Sequence, residues 1–170
     1  MKIRSCMAIF VLVALVLLVG CSKGSSYDPT PLFERELGVL LSGELFGAQT
    51  EVYIELERRE VGKERSFFAR FLSGSLEGIV VSREEGEVSI SLGGLEQRSF
   101  YEGGLTLLCD FFCAEEYLLR SLDKSTDTAV FSAGVQGYDL LFTTGEGGVP
   151  RRIECDGVLS FEVQEFSLIK

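Results

Sequence analysis

The chain has 170 residues, 26 acidic against 16 basic, for a net charge of −10 and a pI near 4.6. That balance excludes a nucleic-acid binder and adhesion to anionic lipid by charge. The absence of His and Trp removes His-based triads, imidazole metal ligands and an imidazole base.

The first 20 residues have the three parts of an export signal. Lys2 and Arg4 are basic, and residues 7–19 are apolar without interruption. A run of 13 is shorter than the roughly 20 residues a membrane-spanning helix needs. Leu18-Val19-Gly20-Cys21 follows and resembles the lipobox of bacterial lipoproteins. The resemblance implies cleavage after Gly20, with the thiol of Cys21 carrying a diacylglyceryl group and its new amine a fatty acyl chain such as palmitate. The mature chain then keeps 14 basic and 26 acidic residues, net −12, tethered to the extracytoplasmic face of the cell membrane, or to an outer membrane if the cell has one. Residues 21–30, rich in Ser and Gly and closed by Pro29, read as the lipidated Cys and a flexible linker. Residues 31–170 remain for one domain with one core.

Beyond Phe33 the hydrophobic period is two. Val52, Ile54 and Leu56 alternate with polar neighbours, as do Val88, Ile90 and Leu92. Less regular runs cover residues 37–46, 67–72 and 76–82. Glu84-Glu85-Gly86 predicts a hairpin turn and residues 58–65 a longer polar loop. Residues 105–122 lack Gly and Pro and place Leu105, Leu108, Phe112, Leu119 and Leu122 at helical spacing, which predicts one helix. Strands resume over residues 128–133, 137–143, 151–156 and 158–169. Asp156-Gly157 predicts a type I′ hairpin. Phe161 and Val163 have one parity and Phe166 and Leu168 the other, which predicts a bulge near Gln164-Glu165. The fold expected is mainly β: a single curved antiparallel sheet, or half-barrel, of about nine strands packed on one inserted helix.

This order of elements, with Gly148-Val149-Pro150 before Arg151-Arg152-Ile153-Glu154 and a Phe-containing last strand, resembles the lipoprotein-localisation superfamily of LolA and LolB. It is also similar to small lipoproteins of anaerobic Gram-positive bacteria. The first resemblance implies an incomplete barrel whose interior accepts acyl chains. LolA-like proteins carry a helix before their first strand, where residues 31–36 here offer about one turn.

Candidate chemistry is sparse. Cys109 and Cys113 sit four residues apart, on one face of the expected helix. They read as a redox pair or half a metal site, or as two small apolar groups facing the sheet; neighbouring helical turns give poor disulfide geometry, which favours the second. Cys155 could reach one of them across the core. Glu84-Glu85 with Glu87, and Glu115-Glu116, lack a calcium-loop pattern and read as solvated surface. Gly93-Gly94, Gly103-Gly104 and Gly147-Gly148 lack any phosphate-loop pattern and read as turns. No catalytic residue, metal site or cofactor is expected, so the domain is expected not to be an enzyme.

The chain's 13 Phe stand out. Phe67, Phe71, Phe112, Phe131, Phe142 and Phe161 are the candidate lining of an apolar cavity for a lipid or acyl chain. The same residues would equally build a closed core, leaving a structural domain or one that binds an envelope protein. A monomer is expected in either case.

Overall fold

The computed structural model describes residues 27–99 and 103–169, and the expected signal, lipobox and Cys21 lie outside them. Eleven strands form one sheet: β1 (Leu37–Leu45), β2 (Ala48–Leu56), β3 (Phe67–Phe71), β4 (Val80–Glu84), β5 (Glu87–Leu92), β6 (Leu95–Ser99), β7 (Leu118–Asp123), β8 (Thr128–Val135), β9 (Tyr138–Thr144), β10 (Pro150–Cys155) and β11 (Leu159–Leu168). Their order is β6-β5-β4-β3-β2-β1-β11-β10-β9-β8-β7, antiparallel throughout. The first and last strands of the chain pair at the centre. β6 and β7 are the two edges, so the sheet is not closed.

Two-residue hairpins carry much of the meander. Phe46-Gly47, Glu85-Gly86, Gly93-Gly94 and Gln136-Gly137 each have positive φ at both positions, the backbone that matches strand twist. Asp156-Gly157 differs from expectation. Cys155 pairs with Leu159 across a three-residue loop in which only Gly157 has positive φ, so a Gly bulge replaces the type I′ turn. The predicted bulge in the last strand is present: Leu40 pairs with Glu165 and Leu41 with Val163, which skips Gln164. It keeps Phe161, Val163, Phe166 and Leu168 on the same side of the sheet despite their change of parity.

That side is the core. One row across the sheet runs Val39, Ile54, Ala69, Val81, Ile90, and another runs Gly43, Phe161, Ile153, Phe142, Phe131, Leu119. Gly43 is required there, because a Cβ would meet the Ser160 carbonyl at 2.0 Å. Two short helices lie on this face: α1 (Thr30–Phe33) and α2 (Leu107–Phe112), the latter packed against β8 and led in by a 3₁₀ turn, Gly104–Thr106. Five of the six α2 residues are buried.

The helix expected over residues 105–122 is therefore a single short helix followed by strand β7. Leu118, Leu119 and Leu122 have helical spacing, and the strand brings Leu119 and Leu122 to one face only through a bulge at Arg120 as it pairs with β8. Other groups end α2. Tyr117 Oη donates to the Phe111 carbonyl at 2.7 Å, and the Arg59 guanidinium donates to the carbonyls of Cys113 and Ala114. β6 is the other strand not expected from the sequence. Its residues with described side chains, Leu95 to Arg98, are all exposed, so it carries no buried alternation.

Candidate functional site

The six candidate cavity residues are all buried. Phe67, Phe71, Phe131, Phe142 and Phe161 project from strands, and Phe112 from α2. Rings fill the space between sheet and helices. Phe33 of α1 makes edge contacts with Phe111, Phe112 and Tyr117, at centroid distances of 6.0, 5.2 and 5.2 Å. Phe111 meets Phe142 at 4.8 Å, and Phe142 stacks on Phe131 at 5.5 Å. The one turn of helix before β1 thus serves to seat Phe33 among aromatic rings. Phe67 and Phe68, adjacent on β3, face opposite ways: Phe67 is buried under Arg83, and Phe68 lies half-buried beneath Arg70.

A polar clasp pins α2 across the open side of the sheet. Asp110 accepts from Arg83 of β4 at 2.9 Å and, through its other oxygen, from Gln136 and Thr106, each at 2.6 Å. Arg83 and Asp110 are both largely buried, and through Asp110 on α2 the clasp links β4 to Gln136 in the β8–β9 turn, elements far apart in sheet order.

Of the recesses on the surface of the described residues, two stand out, and none of the six Phe lines either. The larger, about 1110 Å³, lies between α1 and the loop of residues 58–65. Its lining is charged: Arg35, Arg58, Arg59, Lys63, Arg65 and Arg83 face Glu34, Glu36, Glu60, Glu64 and Glu115. Arg65, only 5% exposed, donates to the carbonyls of Phe33, Arg35, Glu57 and Phe112, so it ties the loop to the ends of both helices. A cation is favoured at helix C-termini, and burial pulls the Arg65 pKa down. The arrangement is structural. Sequence reading assigned residues 58–65 to polar loop, because nothing local marks one Arg among four basic residues there as buried.

The smaller recess, about 800 Å³, lies beside β7. Its lining includes Leu118, Arg120 and Tyr138 with Glu115, Glu116 and Asp139. Every residue of β7 is exposed, and Leu118, Leu119 and Leu122 are 48%, 49% and 41% exposed.

Cys109, Cys113 and Cys155 are free thiols, so Cys155 does not bridge to the other two. Cys109 is fully buried, and burial holds its pKa well above the usual range; burial likewise pushes the Cys113 thiol up to about 11. Both behave as small apolar groups. Among the described residues, no group of three or more Cys, Asp or Glu is arranged to hold a metal ion. Glu84, Glu85 and Glu87 lie on the β4–β5 hairpin, and Glu115 and Glu116 on the link between α2 and β7.

Among the described residues no helix is long and apolar enough to cross a membrane. No protein-family model matches the chain, and no curated protein does. Among solved structures it is similar to one described as the crystal structure of MucB, at 15% identity and a TM-score of 0.49. The match covers 85% of this chain and 56% of that one, so the chain spans little more than half of its neighbour's length.

Proposed function

We propose that the chain is a lipid-tethered, extracytoplasmic, non-catalytic domain that works by binding another protein at its surface. The filled core carries this reading. A carrier of acyl chains needs an apolar cavity of at least ~300 Å³. The recesses described instead have charged rims, while the Phe side chains occupy the interior against one another. Exposed apolar residues cluster along β7, where a partner could cover them.

The tether rests on residues 1–21 of the sequence. Its far end is ordered against the domain: Tyr27 Oη donates to Asp127 at 2.9 Å, and Thr144 Oγ1 donates to the Tyr27 carbonyl at 2.9 Å. The six steps from Cys21 to Tyr27 reach at most about 20 Å. On this reading the sheet end bearing the β7–β8 turn stays near the bilayer.

Absence of catalysis belongs to the same proposal. The sequence offers no imidazole, and two of the three thiols are held protonated by burial. The buried Arg83–Asp110 ion pair is spent on joining α2 to the sheet.

Two mass measurements test the proposal. Intact-mass spectrometry of the membrane fraction should find a chain beginning at acylated Cys21; an unprocessed or unmodified N-terminus overturns the tether. Native mass spectrometry after gentle detergent extraction should give the mass of that chain alone. Co-purifying lipid that also raises the melting temperature overturns the protein-binding reading in favour of an apolar ligand.

A further inference from the structure

We propose that two copies of this chain join edge to edge through β6, antiparallel and in one register, about a two-fold axis at Gln97. This goes beyond the partner-binding reading above and does not depend on it.

β6 pairs with β5 without interruption, from Leu92 with Leu95 to Val88 with Ser99, and among the described residues no strand lies beyond it. The other edge, β7, is broken by its bulge at Arg120, and a bulge disrupts the ladder that a new strand needs. Gly93-Gly94 closes a two-residue turn, so Leu92 and Leu95 exchange their backbone hydrogen bonds. By alternation Gln97 also bonds inward, and the N–H and C=O groups of Glu96 and Arg98 point away from β5.

Charge selects the occupant and the register. β6 reads Leu95-Glu96-Gln97-Arg98-Ser99, with opposite charges placed symmetrically about Gln97. In an antiparallel pair centred on Gln97, Glu96 of one copy lies opposite Arg98 of the other, and Arg98 opposite Glu96. These are the residues whose backbone groups are unspent, so the ladder and the charges agree on one register. Centred on Glu96 or on Arg98 instead, like charges meet directly, which is unfavourable. Both side chains lie on the face away from the core, where Arg98 already bonds Glu96 at 2.8 Å and lies 3.6 Å from Glu87. On the core-side face Leu95, 81% exposed, gains Gln97 of the second copy as a diagonal neighbour.

The net charge of −10 opposes association at long range, but salt screens that repulsion beyond about 8 Å at physiological ionic strength. An edge of five residues buries far less than the roughly 1,200 Å² of a stable interface, so dilute chains in detergent stay single. The proposed tether confines copies to one surface and raises their effective concentration. The two-fold axis is normal to the sheet, so the tethered ends point opposite ways and the joined sheet lies along the bilayer.

The experiment uses the concentrated full chain in neutral detergent, with Cys155→Ser to remove a half-exposed thiol. Air with copper phenanthroline oxidises thiols that meet to a disulfide. Gln97→Cys sets two thiols across the axis, where facing Cα atoms lie about 4.5 Å apart in a non-hydrogen-bonded pair. It should form a covalent dimer at least tenfold faster than the Cys155→Ser parent. Leu95→Cys faces position 99 of the other copy and should not exceed that parent. Adding Arg98→Glu should slow the Gln97→Cys dimer at least tenfold, and Glu96→Arg with Arg98→Glu, which reverses both charges, should restore it. Both side chains are exposed, so melting temperatures should stay at the parent's. No dimer from Gln97→Cys, an equal rate from Leu95→Cys, or a charge swap no better than Arg98→Glu alone overturns the proposal.

Discussion

At the scale of single residues, Arg65 and the α2 thiols show how burial decides chemistry. Arg65 is surrounded by main-chain carbonyls from the two helix ends and the loop. Replacing it with Ala leaves those neutral acceptors without their donor in a buried site, a change that costs about 1–3 kcal/mol for a buried acceptor left unsatisfied. Urea denaturation of Arg65→Ala should show this as a lower midpoint, with an unchanged slope if the denatured state is unaffected. Cys113 makes a pH prediction. Its thiol is pushed up to about 11 from the ordinary 9.0, so between those values the folded chain holds a proton that the unfolded chain has released. The contribution of this thiol to stability should be constant below pH 9 and fall above it, by at most ~1.4 kcal/mol per pH unit. Cys113→Ala should reduce that slope, and a thiol-reactive dye at pH 8 should label the folded domain slowly at Cys109 and Cys113. Fast labelling of both in the folded state would contradict the assignment of these thiols as inert core groups.

At the scale of elements, α2 is too short to be stable alone and is held by its surroundings. The Arg83–Asp110–Gln136 clasp joins β4 and the β8–β9 turn through one carboxylate. Asp110→Ala takes that carboxylate from a largely buried guanidinium and should destabilise by about 3–5 kcal/mol. The double variant Arg83→Met, Asp110→Leu replaces the pair by apolar groups and should cost clearly less than the two single changes added together. Thermal unfolding of the four proteins in the cycle measures the coupling, and simple additivity would mean that the clasp does not act as a unit. The Gln164 bulge shows the same dependence on a neighbouring strand. It lets ten residues of β11 follow β1 while four apolar side chains stay on the core side.

For the whole molecule, the open sheet closes on its own contents. Strands from both halves, the two helices and the loop of residues 58–65 meet around Phe33, Phe111 and Phe142. A core packed in this way should respond to truncation as a solid one. Phe142→Ala removes a ring that touches Phe33, Phe111, Tyr117 and Phe131 and should cost about 3–5 kcal/mol. A pre-existing hollow core would yield a loss well below that range, because the ring would have fewer neighbours to lose; chemical denaturation distinguishes the two.

The parts of this protein legible in its sequence are those set by local chemistry. Period-two alternation marks β2 and β5, since one face must be dry and the other wet. Gly86 and Gly157 mark turns because positive φ is cheap only for glycine, and the parity change after Val163 marks the bulge. The lipobox-like Leu18-Val19-Gly20-Cys21 is a local pattern too; it is an expectation from the sequence and lies outside the described residues. What tertiary structure decided is what depends on distant partners. β7 became a strand because β8 was available to pair with it, although residues 118–122 alone have helical spacing and need a bulge at Arg120 to pair. Asp156-Gly157 became a three-residue loop because Cys155 pairs with Leu159. Phe composition could not separate a filled core from a hollow one; only ring-to-ring packing does. The exposed edge of β7 was hidden for the same reason: an edge is defined by the strand that is absent beside it, which no stretch of sequence records.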